Sequence, residues 1–212
     1  MHKKEIILIG GGGHCKSCID VIEREDKYQI KGIIDLPSEL GKTILGYEII
    51  GNDSEIINYI KAGYNFLITI GHMGDSMLRE DLFDLVSNNQ GNLPVIISPN
   101  AYVSNHAKVR KGTIIMHNAI VNADASIGQN CIINSKALIE HDCVIKDHTH
   151  ISTNTTLNGE VMIGENCFIG SSSVIRNSVK ITSKTVIGAG SVVVKDVIER
   201  GIYAGNPAKK IN

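Results

Sequence analysis

The tripeptide Glu140-His141-Asp142 sets an imidazole beside carboxylates inside a turn, an arrangement suited to taking a proton near neutral pH. Its neighbours Ile139 and Cys143 keep to a strict six-residue pattern, so the His141 ring is expected to project outward. One coil away on either side stand Ala123 and Gly159, small residues that predict open space for a substrate. Among the reactions that need such a base is acyl transfer from a thioester to an amine or an alcohol. The histidine takes the acceptor's proton, a contribution of typically ~10²–10⁴-fold, and Asp142 would orient the ring and stabilise its charge. A backbone N–H of a neighbouring coil would hold the oxyanion, and no covalent nucleophile is required. The bland reading of the same residues is a histidine solvated at a corner.

A second chemistry-bearing segment is Gly10-Gly11-Gly12-Gly13, between the apolar run Glu5–Ile9 and a helix predicted from His14 to Glu25. Glycines before a helix let the backbone approach a phosphate, and the helix N-terminus supplies unpaired N–H groups. Asp35, at the end of the next strand, is placed to accept from a ribose or base. A dinucleotide fingerprint would need its third glycine at residue 15, which is Cys15, so the pattern argues for a nucleotide or nucleotide sugar and against a dehydrogenase. A tight connecting turn is the alternative.

Other reactive types carry less. His150 ends a hexad whose stacking neighbours Ile132 and Phe168 are apolar, an anomaly that marks it as a cofactor contact. His72, His106, His117 and His148 read as surface or turn residues. Cys15 and Cys18 form a lone C-x-x-C in the helix, without the second pair a zinc site needs. Cys131, Cys143 and Cys167 occupy a column elsewhere held by alanine, threonine or serine and read as core fillers. No metal is expected.

The elements that must position these groups are legible from periodicity. From Ile97 to Ile198 the chain runs through seventeen consecutive hexads, each opening on an aliphatic residue and carrying a small or β-branched fifth residue. A period of six matches neither an α-helix nor a heptad. It predicts one short strand and turn per hexad, three to a triangular coil, with residues eighteen apart stacked at roughly 4.8 Å. Asn118, Asn122, Asp124 and Asn130 are expected at turns. The preceding segment has another rhythm: strands at Glu5–Ile9, Gly32–Asp35 and Phe66–Ile70, and a helix from about Ser76 to Asn88, a small parallel sheet with helices. Two domains follow, 1–94 of Rossmann-like α/β type and 95–212 an all-β parallel helix ending in a basic tail, Pro207–Lys210. The balance of 21 basic and 22 acidic residues gives no reason to expect nucleic acid or an anionic membrane as partner. The apolar run Ile6–Ile9 is too short for a signal sequence or a span, and five cysteines are an odd number, so a cytoplasmic protein with reduced thiols is expected.

Taken together, the strand-GGGGH-helix opening, Ile33-Ile34-Asp35, Thr69-Ile70-Gly71, the Ile139–Cys143 turn and Gly205-Asn206-Pro207-Ala208-Lys209 resemble the sialic-acid O-acetyltransferase NeuD family over nearly the whole chain. That family includes N-acetyltransferases of UDP-linked 4-amino-6-deoxy sugars in bacillosamine-type pathways. The resemblance implies a left-handed β-helix, acetyl-CoA as co-substrate, and a homotrimer with sites between subunits. It implies His141 as base sharpened by Asp142, substrate contacts at Gly12, Gly13, His14, Asp35 and Gly71, and acetyl-CoA contacts at His150, Gly170, Ser171, Gly188 and Ala189. Asp142 stands where some N-acetylating members have glutamate, and His72 where asparagine is common. The favoured activity is N-acetylation of a nucleotide-linked 4-amino-4,6-dideoxy sugar. O-acetylation of sialic acid or a related sugar and a non-catalytic binding scaffold remain as alternatives.

Overall fold

One aliphatic side chain in six points inward only if the backbone turns a corner between successive ones. The computed structural model, which describes residues 3–211, has seventeen two-residue strands, one per hexad, from Ile96–Ile97 to Val192–Val193. Strands within the stack pair in parallel with those eighteen residues before and after, as in Ile133 with Ile115 and Ile151. The product is a left-handed parallel β-helix with three flat faces. The first residues of the hexads fill its shaft, Ile115, Val121, Ile133, Ile139 and Ile151 all being fully buried. Each such side chain contributes about 1.5–3 kcal/mol of burial free energy.

Fifth residues pack inside the corners, and their chemistry is more specific than small size. Thr113, Thr149, Thr155 and Ser173 donate hydroxyl hydrogen bonds to the carbonyl fifteen residues on, in the next coil. Cys131, Cys143 and Cys167 make the same bond through Sγ at 3.2 Å, so these thiols are buried corner donors as well as fillers. Fourth residues take the strain: twelve consecutive ones, from Asn118 to Lys184, are left-handed at φ 54–63°. Asparagine and aspartate tolerate this conformation, which accounts for their enrichment. Asn122, expected at a turn, is instead a second residue, with its backbone in the ladder and its amide on Glu140.

The N-terminal segment forms β1 (Lys4–Ile9), α1 (Gly13–Glu25), β2 (Tyr28–Ile34), β3 (Thr43–Ile44), β4 (Tyr47–Gly51), α2 (Ile56–Lys61), β5 (Asn65–Ile68) and α3 (Met77–Asn88). The sheet order is β3-β4-β2-β1-β5, parallel except for β3. The β3–β4 hairpin has no counterpart in the three strands expected from sequence. It turns on Leu45 and Gly46, both at positive φ, the backbone of a tight two-residue hairpin.

Outward-facing residues tell the three faces of the β-helix apart. On the docked face Ile96, Ile114 and Ile132 are buried against Cys15, Cys18, Ile19 and Ile22 of α1. On the open face Tyr102, Ile120 and Val174 are 58%, 39% and 39% exposed and continue a column through Leu138, Thr156 and Val192. On the third face the column mixes Lys108, Ser126 and Lys180 with Val144 and Met162, the last 40% exposed. The expected basic tail is a strand: β23 (Ile202–Gly205) and β24 (Ala208–Lys210) form a hairpin that extends the docked face. No helix among the described residues is long and apolar enough to cross a membrane.

Candidate active site

Residues 140–143 form the vertex between the open and third faces, because the strands before and after them, Leu138–Ile139 and Val144–Ile145, lie in those two sheets. Asp142 is the left-handed fourth residue, and that turn swings its carboxylate back onto the neighbouring ring. His141 Nδ1 donates to Asp142 Oδ2 at 2.7 Å, which leaves the Nε2 lone pair free. Both side chains are exposed. The Asp142 hydrogen bond raises the His141 pKa above its ordinary value against an opposing desolvation, and the charges of Asp142, Glu140 and Glu160 reinforce the rise. The space at Gly159 is filled by the imidazole itself: a Cβ on Gly159 would stand 2.6 Å from Cε1 and 2.7 Å from Nε2. Gly159→Ala is therefore expected to push the ring off its seat and lower kcat about 10–100-fold, with an unchanged melting temperature. A full-rate variant would show that the observed ring position is not the working one.

At the C-terminal edge of the parallel sheet two cavities adjoin. One, of about 670 Å³, is lined by Gly12, Gly13, His14, Gly71, Asn134 and His150, among others. A Cβ on Gly12 or Gly13 would meet nothing within 4 Å, so the start of α1 is an open cradle of backbone N–H groups. A Cβ on Gly71 would meet the His14 Cβ at 3.5 Å, an ordinary contact, so Gly71 forms the wall beside that residue. The second cavity, of about 440 Å³, is walled by Ile9, Ile34, Leu36, Ile70 and Leu78 and carries Asp35, Asn52 and Asp53. The Asp35 carboxylate accepts from the Gly11 and Leu36 amides, joining the glycine turn to the end of β2. Burial, then the nearby Asp35, raises the Asp53 pKa.

His150 belongs to the first cavity. It is 7% exposed, its Nδ1 donates to the His72 carbonyl at 2.9 Å, and its ring faces Phe168 at 5.2 Å. Gly170 and Ser171, with Gly188 and Ala189 one coil on, line the vertex between the docked and open faces. Ser171 Oγ lies 2.8 Å from Ser152 Oγ, and Gly170 packs on the Ala189 amide. The predicted residues thus fall into two groups. Those of the glycine cradle, His150 and the Gly170–Ala189 vertex adjoin the docked face, whereas His141 and Asp142 occupy the vertex across the prism from it.

Of His72 and His148, expected at the surface or in turns, His148 is a left-handed turn residue and His72 lies in the loop after β5, but both are buried, each 7% exposed. The loop after β5 folds His72 under His150, and Phe83 of α3 covers His148 at 5.5 Å. Sequence reasoning also passed over Asn52, Asp53, Asn134 and Arg79. Arg79 is 1% exposed; its Nε and Nη1 donate to carbonyls of Asn130, Ile68 and Ile70, so it ties α3 to both the end of β5 and the β-helix. The available signal was its spacing: Arg79 falls in line with Leu82, Phe83 and Val86 on the apolar face of α3. Among the described residues no cluster of histidine, cysteine or acidic side chains could hold a metal ion.

Residues 5–86 match the family described as PglD N-terminal domain, and residues 124–159 and 160–195 match the bacterial transferase hexapeptide family of six repeats. The acetyltransferase domain of PglB from Neisseria gonorrhoeae FA1090 is 28% identical over 99% of this chain and 100% of that one, with a TM-score of 0.92. A mutant of perosamine N-acetyltransferase from Caulobacter crescentus, solved with CoA and GDP-perosamine, is 30% identical over 98% of this chain and 97% of that one, TM-score 0.91. Uncharacterized protein L142 of Acanthamoeba polyphaga mimivirus is 35% identical over 125 residues, 58% of this chain and 23% of the viral protein.

Proposed function

The chain belongs to the PglD-type hexapeptide-repeat acetyltransferases, and from that membership we propose that it moves acetyl from acetyl-CoA to the amino group of a nucleotide-linked 4-amino-4,6-dideoxy sugar. The observation that carries this reading is the pairing of an exposed, carboxylate-held imidazole with a glycine cradle beside a half-apolar cavity in one chain. Gly12, Gly13 and His14 receive the diphosphate, and Asp35 and its neighbours receive the nucleoside. Gly71 lies beside His14 in the wall of that cavity. The vertex formed by Gly170, Ser171, Gly188 and Ala189 borders the acetyl-CoA path, with His150 at its edge.

The amine attacks the thioester carbonyl, forming the C–N bond; His141 Nε2 takes the amine proton while Asp142 stabilises the imidazolium. Collapse of the tetrahedral intermediate breaks the C–S bond, and the CoA sulfur leaves with a proton. The raised pKa of His141 makes the ring a stronger base for this step.

The two halves of this site stand on opposite sides of one prism, so a second copy must complete it. The open face lies between the two vertices and carries the exposed apolar column of Tyr102, Ile120 and Val174. Three copies packed through that face bring His141 of one against the Gly170–Ala189 vertex and cradle of the next, and a closed threefold ring leaves no copy unpaired. The cytoplasm, where five unpaired buried thiols stay reduced, is the compartment we assign.

The test is release of the CoA thiol from acetyl-CoA with GDP-linked and UDP-linked 4-amino-4,6-dideoxy sugars and with free sialic acid as separate acceptors. Turnover of a nucleotide-linked amino sugar is expected. Turnover of sialic acid alone would replace this reading with O-acetylation, and no turnover of any would leave a binding scaffold.

A further inference from the structure

The crevice at the start of α1 is built from imidazoles as well as backbone. His14, His72 and His150 meet there, with ring centroids 6.4 Å apart for His14–His150 and 5.5 Å for His72–His150. Their partners reveal their protons. His150 donates from Nδ1 to the His72 carbonyl and accepts at Nε2 from the Asn134 amide, whose own oxygen is taken by the Ser135 N–H. That ring is neutral and fully used. His72 Nδ1 accepts from the Gly74 N–H at 3.4 Å, which puts its proton on Nε2, a buried donor with no partner. His14 Nε2 is likewise buried and unpartnered.

Behind the rings lies Arg79, 1% exposed, bonded to carbonyls and left with an unpaired Nη2. The titratable and charged groups facing His14 are Arg79 from α3, His150 from the docked face and His72 from the loop after β5, none of them anionic. Asp75, which also lines the crevice, faces His72. Burial first, then Arg79 and the other two rings, pull His14 down to about 3; burial, then His150 and Arg79, take His72 to about 3 against the opposing pull of the His148 backbone and Asp75. A buried cation without a counter-ion, two unsatisfied ring nitrogens and a helix N-terminus all call for an anion.

Resting on the nucleotide-sugar reading above, we propose that the substrate's diphosphate enters this crevice together with a proton from solvent, which His14 takes up while His72 stays neutral and donates its Nε2–H. A unit charge ~4 Å away at an effective dielectric of ~20 moves a pKa by about 3 pH units. Two phosphoryl charges therefore suffice to carry His14 through neutrality. The effect separates this site from one lined by lysines: its affinity depends on proton concentration in a range where the diphosphate itself does not titrate.

The experiment is titration calorimetry of the full-length protein with UDP-N-acetylglucosamine and with GDP-mannose at pH 7, in phosphate, HEPES and Tris. These probes carry diphosphate diesters without a proton that titrates near neutrality, so the slope of enthalpy against buffer ionisation enthalpy counts protons bound by the protein. About 0.5–1 proton taken up per site is expected. In His14→Gln the slope should vanish while weakened binding persists, and in His72→Gln the slope should remain with weaker binding. Imidazole NMR of the wild type gives an independent readout: the His14 Cε1–H signal should move to its charged position on saturation. A buffer-independent enthalpy with measurable binding overturns the proton uptake and leaves the function intact. Uptake that survives in His14→Gln overturns the assignment to His14, and absence of binding by both probes overturns the nucleotide-sugar site as well.

Discussion

His141→Ala is expected to lower kcat by about 10²–10⁴-fold while the KM for acetyl-CoA stays within about twofold. On the proposed mechanism the base acts on the acceptor's proton during bond formation, so its loss is felt in the transition state and not in cofactor binding. The pH profile supplies a second check. The base must be unprotonated, so kcat/KM should fall as pH drops through the His141 pKa, which the Asp142 hydrogen bond holds above the ordinary histidine value. Asp142→Asn removes that stabilisation of the imidazolium, and the acidic limb should move to lower pH while the plateau drops. Stopped assays of CoA thiol release across pH 5.5–9 would measure both. An alanine variant within twofold of wild type, or an acidic limb that ignores Asp142→Asn, would take His141 out of the chemistry.

The parts of this molecule that sequence revealed are those set by short-range repetition. One aliphatic in six, held in register from Ile97 onward, admits few structures besides a triangular coil, and the shaft residues are those the period picks out. The vertex position of His141 follows from the same register. The histidine crevice could not be read that way, because contacts between distant segments create it: His72 reaches His150 across 78 residues. Nothing local to Gly71-His72-Met73 says that the ring will be covered. The β3–β4 hairpin was hidden for another reason, since Leu45 at φ 48° is a residue type that rarely takes a left-handed turn position. The corner donors lie between these extremes. Their small size was legible, whereas the bond of each hydroxyl or thiol to the next coil appears only once residues fifteen apart are stacked.

Mixing two inactive proteins should restore activity if each site draws its base from one copy and its nucleotide cradle from the next. One parent is His141→Ala, with an intact cradle. The other is Gly12→Trp, with an intact base; the space beyond Gly12 is open in the folded chain, so the bulky ring fills the cradle without displacing the fold. After dissociation and reassembly at equal amounts, a site works only when its cradle comes from the first parent and its base from the second. Random threefold assembly meets that condition at about one quarter of sites, so about a quarter of wild-type turnover is expected from parents that are each nearly silent. If cradle and base of the same chain cooperated, every site in the mixture would carry one lesion and no activity would return. The proposed threefold packing makes the open face indispensable. Ile120→Glu puts a charge into the apolar column between Tyr102 and Leu138, and should yield a folded monomer by sedimentation whose turnover falls more than about 10³-fold, because a lone prism keeps its base on the far side from its substrate. A monomeric variant that keeps full turnover would place the complete site within one chain.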